Sequence, residues 1–151
     1  MTAESPEVAF RRGMPGDLHF LWRLQLEAMR PHVERQFGPW DETFQRRLFD
    51  TNTEPNSIDV LQIGDERIGC QWVREHDGAL HLERLHVLPE WQGRGIGTGR
   101  ILAFVEQART AGLPARLQVF RTNPARALYA RLGFETILVA VDHETMEWTS
   151  A

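Results

Sequence analysis

The spacing of apolar residues predicts strands and helices in alternation along the chain. A first strand is expected over "VAFRRG" (8–13), followed by a helix in which apolar residues recur every three or four positions over 18–29. Pro31 is expected to end that helix, because proline lacks the amide hydrogen that a helix interior uses. A second helix is predicted over "WDETFQRRLFD" (40–50), with Asp41 near its N-terminus. The residues expected on its buried side are Phe44, Leu48 and Phe49.

The apolar period changes in the middle of the chain. "SIDVLQIGDERIGCQWVRE" (57–75) alternates apolar and polar residues around Gly64 and Asp65, which predicts a hairpin of two strands. A third strand is expected over "GALHLERLHV" (78–87), stopped by Pro89. The remaining predictions are a helix over 101–112 that ends at Gly112, a strand over 115–120, a short helix within 123–134, and strands over 136–141 and 144–148.

This order of elements predicts an α/β fold. The chain of 151 residues is the size of one ordinary domain, and it contains no repeat, linker or low-complexity segment. We therefore expect a single domain over residues 1–151, built on a mixed, mostly antiparallel sheet flanked by helices.

A run of alternate glycines, "WQGRGIGTGR" (91–100), separates the third strand from the next helix. Glycine inside a helix costs about 1 kcal/mol relative to alanine, so four of them need a reason. A strand-to-helix junction offers free N–H groups and the positive end of the helix dipole, both of which attract phosphate. A tight turn with close packing would explain one or two glycines, but not easily Gly93, Gly95, Gly97 and Gly99 together. The segment therefore predicts a phosphate-binding site.

Two common phosphate motifs do not fit this segment. The P-loop needs a lysine followed by serine or threonine, and no such pair follows these glycines. A dinucleotide fingerprint needs glycines at relative positions 1, 3 and 6. Counted from Gly93 the sixth position is Thr98, and counted from Gly95 it is Arg100. A kinase, an ATPase and a typical NAD enzyme are therefore disfavoured.

The glycine segment instead resembles the acetyl-CoA motif of the GNAT acetyltransferases. That motif has Gln or Arg, two residues, Gly, one residue and Gly or Ala, after a strand that ends in Val-x-Pro. "LHVLPEWQGRGIG" contains the matching residues Val87, Pro89, Gln92, Gly95 and Gly97. A second segment, "NPARALYARLGF", is similar to a later helix of the family through Asn123, Tyr129, Gly133 and Phe134. The resemblance covers the whole chain, and its specific motifs lie between Leu82 and Phe134.

The resemblance implies how acetyl-CoA is bound. Backbone N–H groups from Gln92 to Thr98 would hold the pyrophosphate, and the strand at Leu85–Val87 would pair with the pantetheine arm through its open edge. The N–H of Val87 would face the thioester oxygen. The cofactor-binding residues expected in this way are Leu85, His86, Val87, Gln92, Gly93, Arg94, Gly95, Ile96, Gly97, Thr98, Asn123 and Tyr129.

The reaction implied by the resemblance is direct acetyl transfer from the thioester to an amine. Tyr129 would donate a proton to the leaving thiolate, although the same residue would also suit a helix core. Strand alternation places Glu83 on the same face as His81, so either side chain could take the amine's proton directly or through water. A salt bridge with a nearby arginine is the alternative for Glu83. His81, Glu83 and His86 also suggest a metal, but His86 should face the other way, so no metal is expected.

Charge and cysteine content limit the partners and the cellular compartment that are expected for the protein. The net charge of −4 argues against a broad nucleic-acid surface, and no apolar run approaches the length of a membrane span. Cys70 is the only cysteine and is expected to be a buried small residue rather than a nucleophile. The first ten residues lack the pattern of a signal peptide, and a chain with one cysteine suits a reducing cytoplasm, where we expect the protein to act.

The amine acceptor is expected at "MRPHVERQFGPWDE" (29–42) together with the last strands. The carboxylates of this segment could attract a cationic small molecule or peptide, and its aromatic rings could cover the carbon chain. The residues concerned are Glu34, Phe37, Trp40, Asp41 and Glu42, which would equally suit a solvated helix cap and ordinary packing. A homodimer is left open. A non-catalytic acyl-CoA-binding module is the alternative function, and it would not need Tyr129.

Overall fold

The computed structural model describes residues 7–150, and its elements follow the predicted order. The strands are β1 (Ala9–Arg12), β2 (Asp59–Ile63), β3 (Glu66–His76), β4 (Ala79–Val87), β5 (Ala115–Phe120), β6 (Glu135–Val139) and β7 (His143–Trp148). The helices are α1 (Leu18–Phe37), α2 (Glu42–Asn52), α3 (Ile96–Ala111) and α4 (Ala125–Arg131). The first six residues, which carry part of the signal-peptide argument, lie outside the described residues.

The strands form a mixed sheet in the order β1-β2-β3-β4-β5-β7-β6. β1 with β2, β2 with β3, β5 with β7 and β6 with β7 pair antiparallel, whereas β4 and β5 pair parallel. The predicted α/β fold with a mixed, mostly antiparallel sheet is therefore confirmed. No helix within residues 7–150 combines the length and the apolar character needed to cross a membrane.

The chain separates into two compact units, so the single domain over 1–151 stays a prediction. The first unit lies within Met1–Trp72 and Leu85–Gly97 and includes β1, β2, α1 and α2. One of its core clusters consists of Phe20, Leu21, Leu24, Phe49, Ile58, Val60, Cys70 and Leu88. A second, the Leu61 cluster, consists of Leu61, Ile68, Val87 and Ile96. The predicted burial of Cys70 is confirmed.

The second unit lies within Val73–Arg84 and Thr98–Ala151 and includes β5, α4, β6 and β7. The part of α3 that belongs to it buries Ile101, Phe104, Val105 and Ala108, which is the three- and four-residue spacing expected of an amphipathic helix. The helix ends at Gly112 as predicted, where a positive φ of 70° and an N–H bond to the Arg109 carbonyl stop the helical path.

Pro31 does not end α1, contrary to the prediction. The helix continues through it to Phe37 and stops at Gly38, whose φ of 99° leaves the helical region and whose N–H donates to the Glu34 carbonyl. Proline removes one helical hydrogen bond, but Val33, two residues further on, is buried, and this packing stabilises the last turns.

The second helix buries less of its surface than its pattern predicted. Asp41 accepts a hydrogen bond from the Phe44 N–H at 3.0 Å, so the predicted start is confirmed, and Phe49 is buried against the Trp22 ring. Phe44 and Leu48, however, are 51% and 42% exposed. They lie four residues apart on one stripe of the helix, and the core covers the neighbouring stripe that carries Phe49.

Candidate active site

The glycine segment connects β4 to α3 through a short turn. Leu88 is tied to β3 by its N–H, which donates to the Ile68 carbonyl at 2.8 Å, and a 3₁₀ turn over Pro89–Trp91 follows. Gly93 and Gly95 adopt φ values of 76° and 81°, a region that side chains disfavour. These two glycines are therefore required by the path of the backbone itself.

Gly97 and Gly99 lie inside α3, not before it as predicted. The helix begins at Ile96 because this side chain is buried in the Leu61 cluster, and that packing outweighs the poor helix propensity of two glycines. A Cβ atom at either glycine would meet nothing within 4 Å. Close packing therefore does not explain them, and the space above the first turn of α3 stays open to a ligand.

Gln92 fixes this turn to the end of the strand. Its side-chain Nε2 donates to the Val87 carbonyl at 2.9 Å, and its backbone N–H donates to the Pro89 carbonyl at 3.2 Å. Gln92, which matches the Gln or Arg of the family motif, therefore holds the turn in place through its side chain. Its own N–H already has a partner within the protein.

The side chain of Arg94 turns back onto the protein. Its Nη2 donates to the Glu90 carbonyl at 3.1 Å, and its guanidinium lies 4.5 Å from the centre of the Trp91 ring. With Arg94 held there and Ile96 buried, the junction between Gly93 and Thr98 offers mainly backbone to a ligand.

Gly69 on β3 is a residue that the sequence analysis missed. A Cβ atom at this position would collide with the His86 carbonyl oxygen and would lie 3.3 Å from the Val87 Cα. Only glycine therefore allows β4 to approach β3 in this way at the stretch expected to pair with pantetheine. A glycine inside an alternating strand was the available signal, because it marks a close approach of backbone.

Glu83 lies in a network of charged groups on the β3–β4 hairpin. Its Oε1 accepts a hydrogen bond from Arg74 Nη2 at 3.2 Å and lies 3.0 Å from His76 Nε2. The His76 Nδ1 lies 3.2 Å from Asp77 Oδ2. The arginine salt bridge named as an alternative is therefore present, and the role of Glu83 as a base stays a prediction.

His81 stacks against His76, with ring centres 3.6 Å apart and planes within 11° of parallel. Its Nε2 lies 3.1 Å from the His76 carbonyl oxygen. Burial, helped by the neighbouring His76, lowers the pKa of His81 below its ordinary value. The neutral ring, which is the form that can accept a proton, is therefore favoured at neutral pH.

Tyr129 and Asn123 belong to α4 and the turn before it. Burial raises the pKa of the Tyr129 phenol, so the hydroxyl keeps the proton that a general acid must donate. The Tyr129 ring packs at an angle against Phe134 at 6.1 Å. Asn123 Oδ1 accepts a hydrogen bond from the Ala125 N–H at 2.9 Å, which supports the start of the helix. Asn123 also lines an open cavity of about 510 Å³ between α4, β6 and β7.

The expected acceptor segment is partly occupied by local contacts. Glu34 pairs with Arg30 at 3.1 Å on the surface of α1, and Asp41 caps α2. Phe37 is exposed, whereas the Trp40 indole Nε1 is buried and has no hydrogen-bond partner among the described residues. The acceptor role of this segment therefore stays a prediction.

The sheet, the backbone-lined turn and the helix that follows it define an α/β protein with a helix N-terminus shortly after a strand, a place where many proteins bind phosphate groups. Residues 20–134 match the family model described as the Acetyltransferase (GNAT) family. The chain therefore belongs to the GNAT family and is by family an N-acetyltransferase that depends on acetyl-CoA.

Solved structures show the same fold at low sequence identity. The PaiA N-acetyltransferase of Thermoplasma acidophilum, in complex with coenzyme A, matches with a TM-score of 0.77 and 17% identity over 95% of this chain and 99% of that one. The ribosomal-protein-S18-alanine N-acetyltransferase of Escherichia coli matches with a TM-score of 0.67 and 18% identity over 96% of each chain. A search of curated protein sequences gave no significant match.

Proposed function

We propose that this protein transfers an acetyl group directly from acetyl-CoA to an amine within a ternary complex. The observation that carries the proposal is the junction between β4 and α3. There the backbone is free of side chains over Gly97 and Gly99, and the Arg94 side chain is turned away. A pyrophosphate requires backbone N–H groups that no side chain covers, and this chain belongs to the family that uses acetyl-CoA.

The pyrophosphate is proposed to bind the N–H groups of residues 93–98. The first four N–H groups of a helix have no partner inside it, and in α3 these belong to residues 96–99. The N–H of Gln92 donates to Pro89, which moves the proposed start of the anion site to Gly93. The pantetheine arm is proposed to pair with Leu85–Val87.

Acetyl transfer then needs a base for the amine and an acid for the thiolate. In the proposed reaction the amine nitrogen attacks the thioester carbon, and the Val87 N–H stabilises the charge that develops on the oxygen. Glu83 takes the proton that the amine loses, directly or through water. The C–S bond breaks, and the Tyr129 phenol protonates the leaving sulfur. Tyr129 then regains a proton from solvent, and the products are an amide and free CoA.

His81 is the alternative base. Its lowered pKa favours the neutral ring, and with its Nε2 within hydrogen-bond distance of the His76 carbonyl, its accepting nitrogen is Nδ1. Both contacts of Glu83 fall on Oε1, which leaves Oε2 as its accepting oxygen among the described residues. Each side chain therefore keeps one accepting atom, and His81 stays the alternative to Glu83.

The acceptor is proposed to be a small molecule or peptide that carries a cationic amine, and the reaction is proposed to occur in the cytoplasm. The function is tested by turnover with acetyl-CoA and a panel of amines, measured as the release of thiol. The panel consists of peptide N-termini, lysine side chains, polyamines and amino sugars. We expect one class to support turnover well above acetyl-CoA hydrolysis. Thiol release that is the same with and without every amine would contradict the proposal.

Acetyl-CoA is expected to stabilise the folded protein. At 100 times its dissociation constant it should add about 2.7 kcal/mol to the free energy of unfolding, because it binds the native state alone. A series of melting temperatures with acetyl-CoA, NAD and ATP at equal concentrations measures this effect. A larger shift with NAD or ATP than with acetyl-CoA would reject the assignment.

Two substitutions at Gly97 are expected to separate cofactor binding from packing. Gly97→Ala should raise the free energy of unfolding by about 0.5–1 kcal/mol and keep the affinity for acetyl-CoA, because the family motif accepts alanine there. Gly97→Val adds an isopropyl group, two methyl groups more than alanine, where the pyrophosphate should approach, and should weaken binding by about tenfold or more. Calorimetric titration of both variants measures the difference. Equal affinity for the two would mean that the open space over α3 does not serve the cofactor.

A further inference from the structure

The β3–β4 hairpin brings together three side chains that ligate metals. These are His76, His81 and Glu83, and one ligand atom from each lies within 4.8 Å of the others. Strand alternation groups His81 with Glu83 and turns His86 away, so the sequence predicts no metal site. It gives no sign of His76, which the turn of the hairpin returns to the other two residues.

We propose that His76, His81 and Glu83 form a binding site for a divalent transition-metal ion, with Zn²⁺ the best fit. Two imidazole nitrogens and one carboxylate oxygen are a ligand set that Zn²⁺ takes, with a water molecule in the fourth position. Bonds of about 2.0–2.2 Å in a tetrahedral site place neighbouring ligand atoms about 3.4 Å apart. The His76 Nε2 and Glu83 Oε1 atoms, at 3.0 Å, already approach that spacing.

The hydrogen-bond partners of the two histidine rings support this arrangement. Metal-binding histidines usually use their second ring nitrogen to bond a carboxylate or a backbone carbonyl, which fixes the ring. The His76 Nδ1 lies 3.2 Å from the Asp77 carboxylate, so its Nε2 is the nitrogen directed at Glu83. The His81 Nε2 lies 3.1 Å from the His76 carbonyl, which leaves Nδ1 as its ligand atom.

Two features of the hairpin must change when the ion binds. The two rings are stacked nearly parallel, so one must turn before both lone pairs point at a single ion. Arg74 Nη2 donates to the same Glu83 oxygen at 3.2 Å and must give way to the metal. Arg74 is half exposed, and exposed ion pairs are weak, so this competition lowers the affinity without abolishing it.

Metal binding at this site has a consequence that rests on the proposed function. Glu83 is the proposed base, and a carboxylate whose Oε1 ligates Zn²⁺ is a much weaker base at Oε2 as well, because the bound cation opposes its protonation. Bound Zn²⁺ is therefore expected to inhibit acetyl transfer, whereas the binding itself does not depend on the reaction.

Calorimetric titration of the untagged full-length protein with ZnCl₂ tests the site. We expect His76→Gln to weaken Zn²⁺ binding by at least about tenfold, since even the loss of a partner behind a ligand weakens metal binding by about 10- to 100-fold. His143→Gln is the matched control, because His143 also lies beside a neighbouring aspartate, at 2.7 Å from Asp142, outside the cluster. No heat of binding, or equal weakening by both substitutions, would overturn the site.

Arg74→Gln provides a test with the opposite sign. Removal of the competing cation should tighten Zn²⁺ binding if Glu83 is a ligand, whereas unchanged affinity would exclude Glu83 from the site. Inhibition of acetyl transfer by Zn²⁺ and its reversal by a chelator form the separate activity arm. If no amine supports turnover, the titrations still decide the site. Binding through His76 without inhibition of an active enzyme would overturn the inhibitory role.

Discussion

Replacement of Tyr129 by phenylalanine is expected to lower kcat by about ten- to a thousandfold, on the scale typical of a general acid. The ring that packs against Phe134 is kept, so folding should change little. If the phenol protonates the leaving thiolate, its contribution arises mainly in the transition state, and its loss appears in kcat. The acetyl-CoA dissociation constant should stay within about threefold, since one lost neutral hydrogen bond contributes about 1 kcal/mol or less.

Steady-state turnover with an active amine, beside direct titration of acetyl-CoA, measures both effects of Tyr129→Phe. Unchanged kcat would remove Tyr129 from the mechanism. A large loss of acetyl-CoA affinity would instead make it a cofactor-site residue. The raised pKa of Tyr129 supports a phenol that is protonated at neutral pH. The assignment of the leaving thiolate as the acceptor of its proton rests on the resemblance to the family.

Replacement of Asp17 by asparagine is expected to lower the free energy of unfolding by about 3 kcal/mol at neutral pH. Asp17 is 2% exposed and accepts hydrogen bonds from both terminal nitrogens of Arg11 at 2.8 and 2.9 Å. It also accepts hydrogen bonds from the Met14 N–H and from Arg67. Asparagine keeps the shape but removes the charge that these donors share. The arginines are partly exposed, which keeps the loss near the lower end of the range for buried pairs.

The loss caused by Asp17→Asn should depend on pH. The hydrogen bonds from Arg11 lower the pKa of the Asp17 carboxyl from 3.8 to about 2 in the folded protein. A depressed pKa adds stability above the unfolded value, and this stability disappears as the pH falls through the folded value. The difference corresponds to about 2 kcal/mol, lost between roughly pH 4 and pH 2.

Urea denaturation of Asp17→Asn and of the natural chain across this pH range measures the effect. The two stabilities should converge as the pH falls toward 2. Asp50→Asn is the matched control, because its exposed pair with Arg46 should contribute less than about 0.5 kcal/mol. A difference between Asp17→Asn and the natural chain that persists unchanged at pH 2 would contradict the assigned charge interaction.

The order of strands and helices was predictable because it depends on local patterns. Alternation around Gly64 and Asp65 specified the β2–β3 hairpin, and Gly112 marked the end of α3. The errors occurred where packing outweighs local preference. Buried Val33 carries α1 past Pro31, and buried Ile96 starts α3 early enough to take in two glycines.

The sequence by itself determined the fold class, the family and the position of the glycine segment between β4 and α3, because these depend on residue spacing along one stretch of chain. Only the tertiary structure decided which atoms approach each other. It showed the His86 carbonyl against Gly69, the Gln92 amide on Val87, and His76 beside His81 and Glu83. Such contacts depend on strand register and on how closely two backbones approach. A pattern along one strand gives at most one side of each contact, such as the glycine at 69 but not the carbonyl that lies against it.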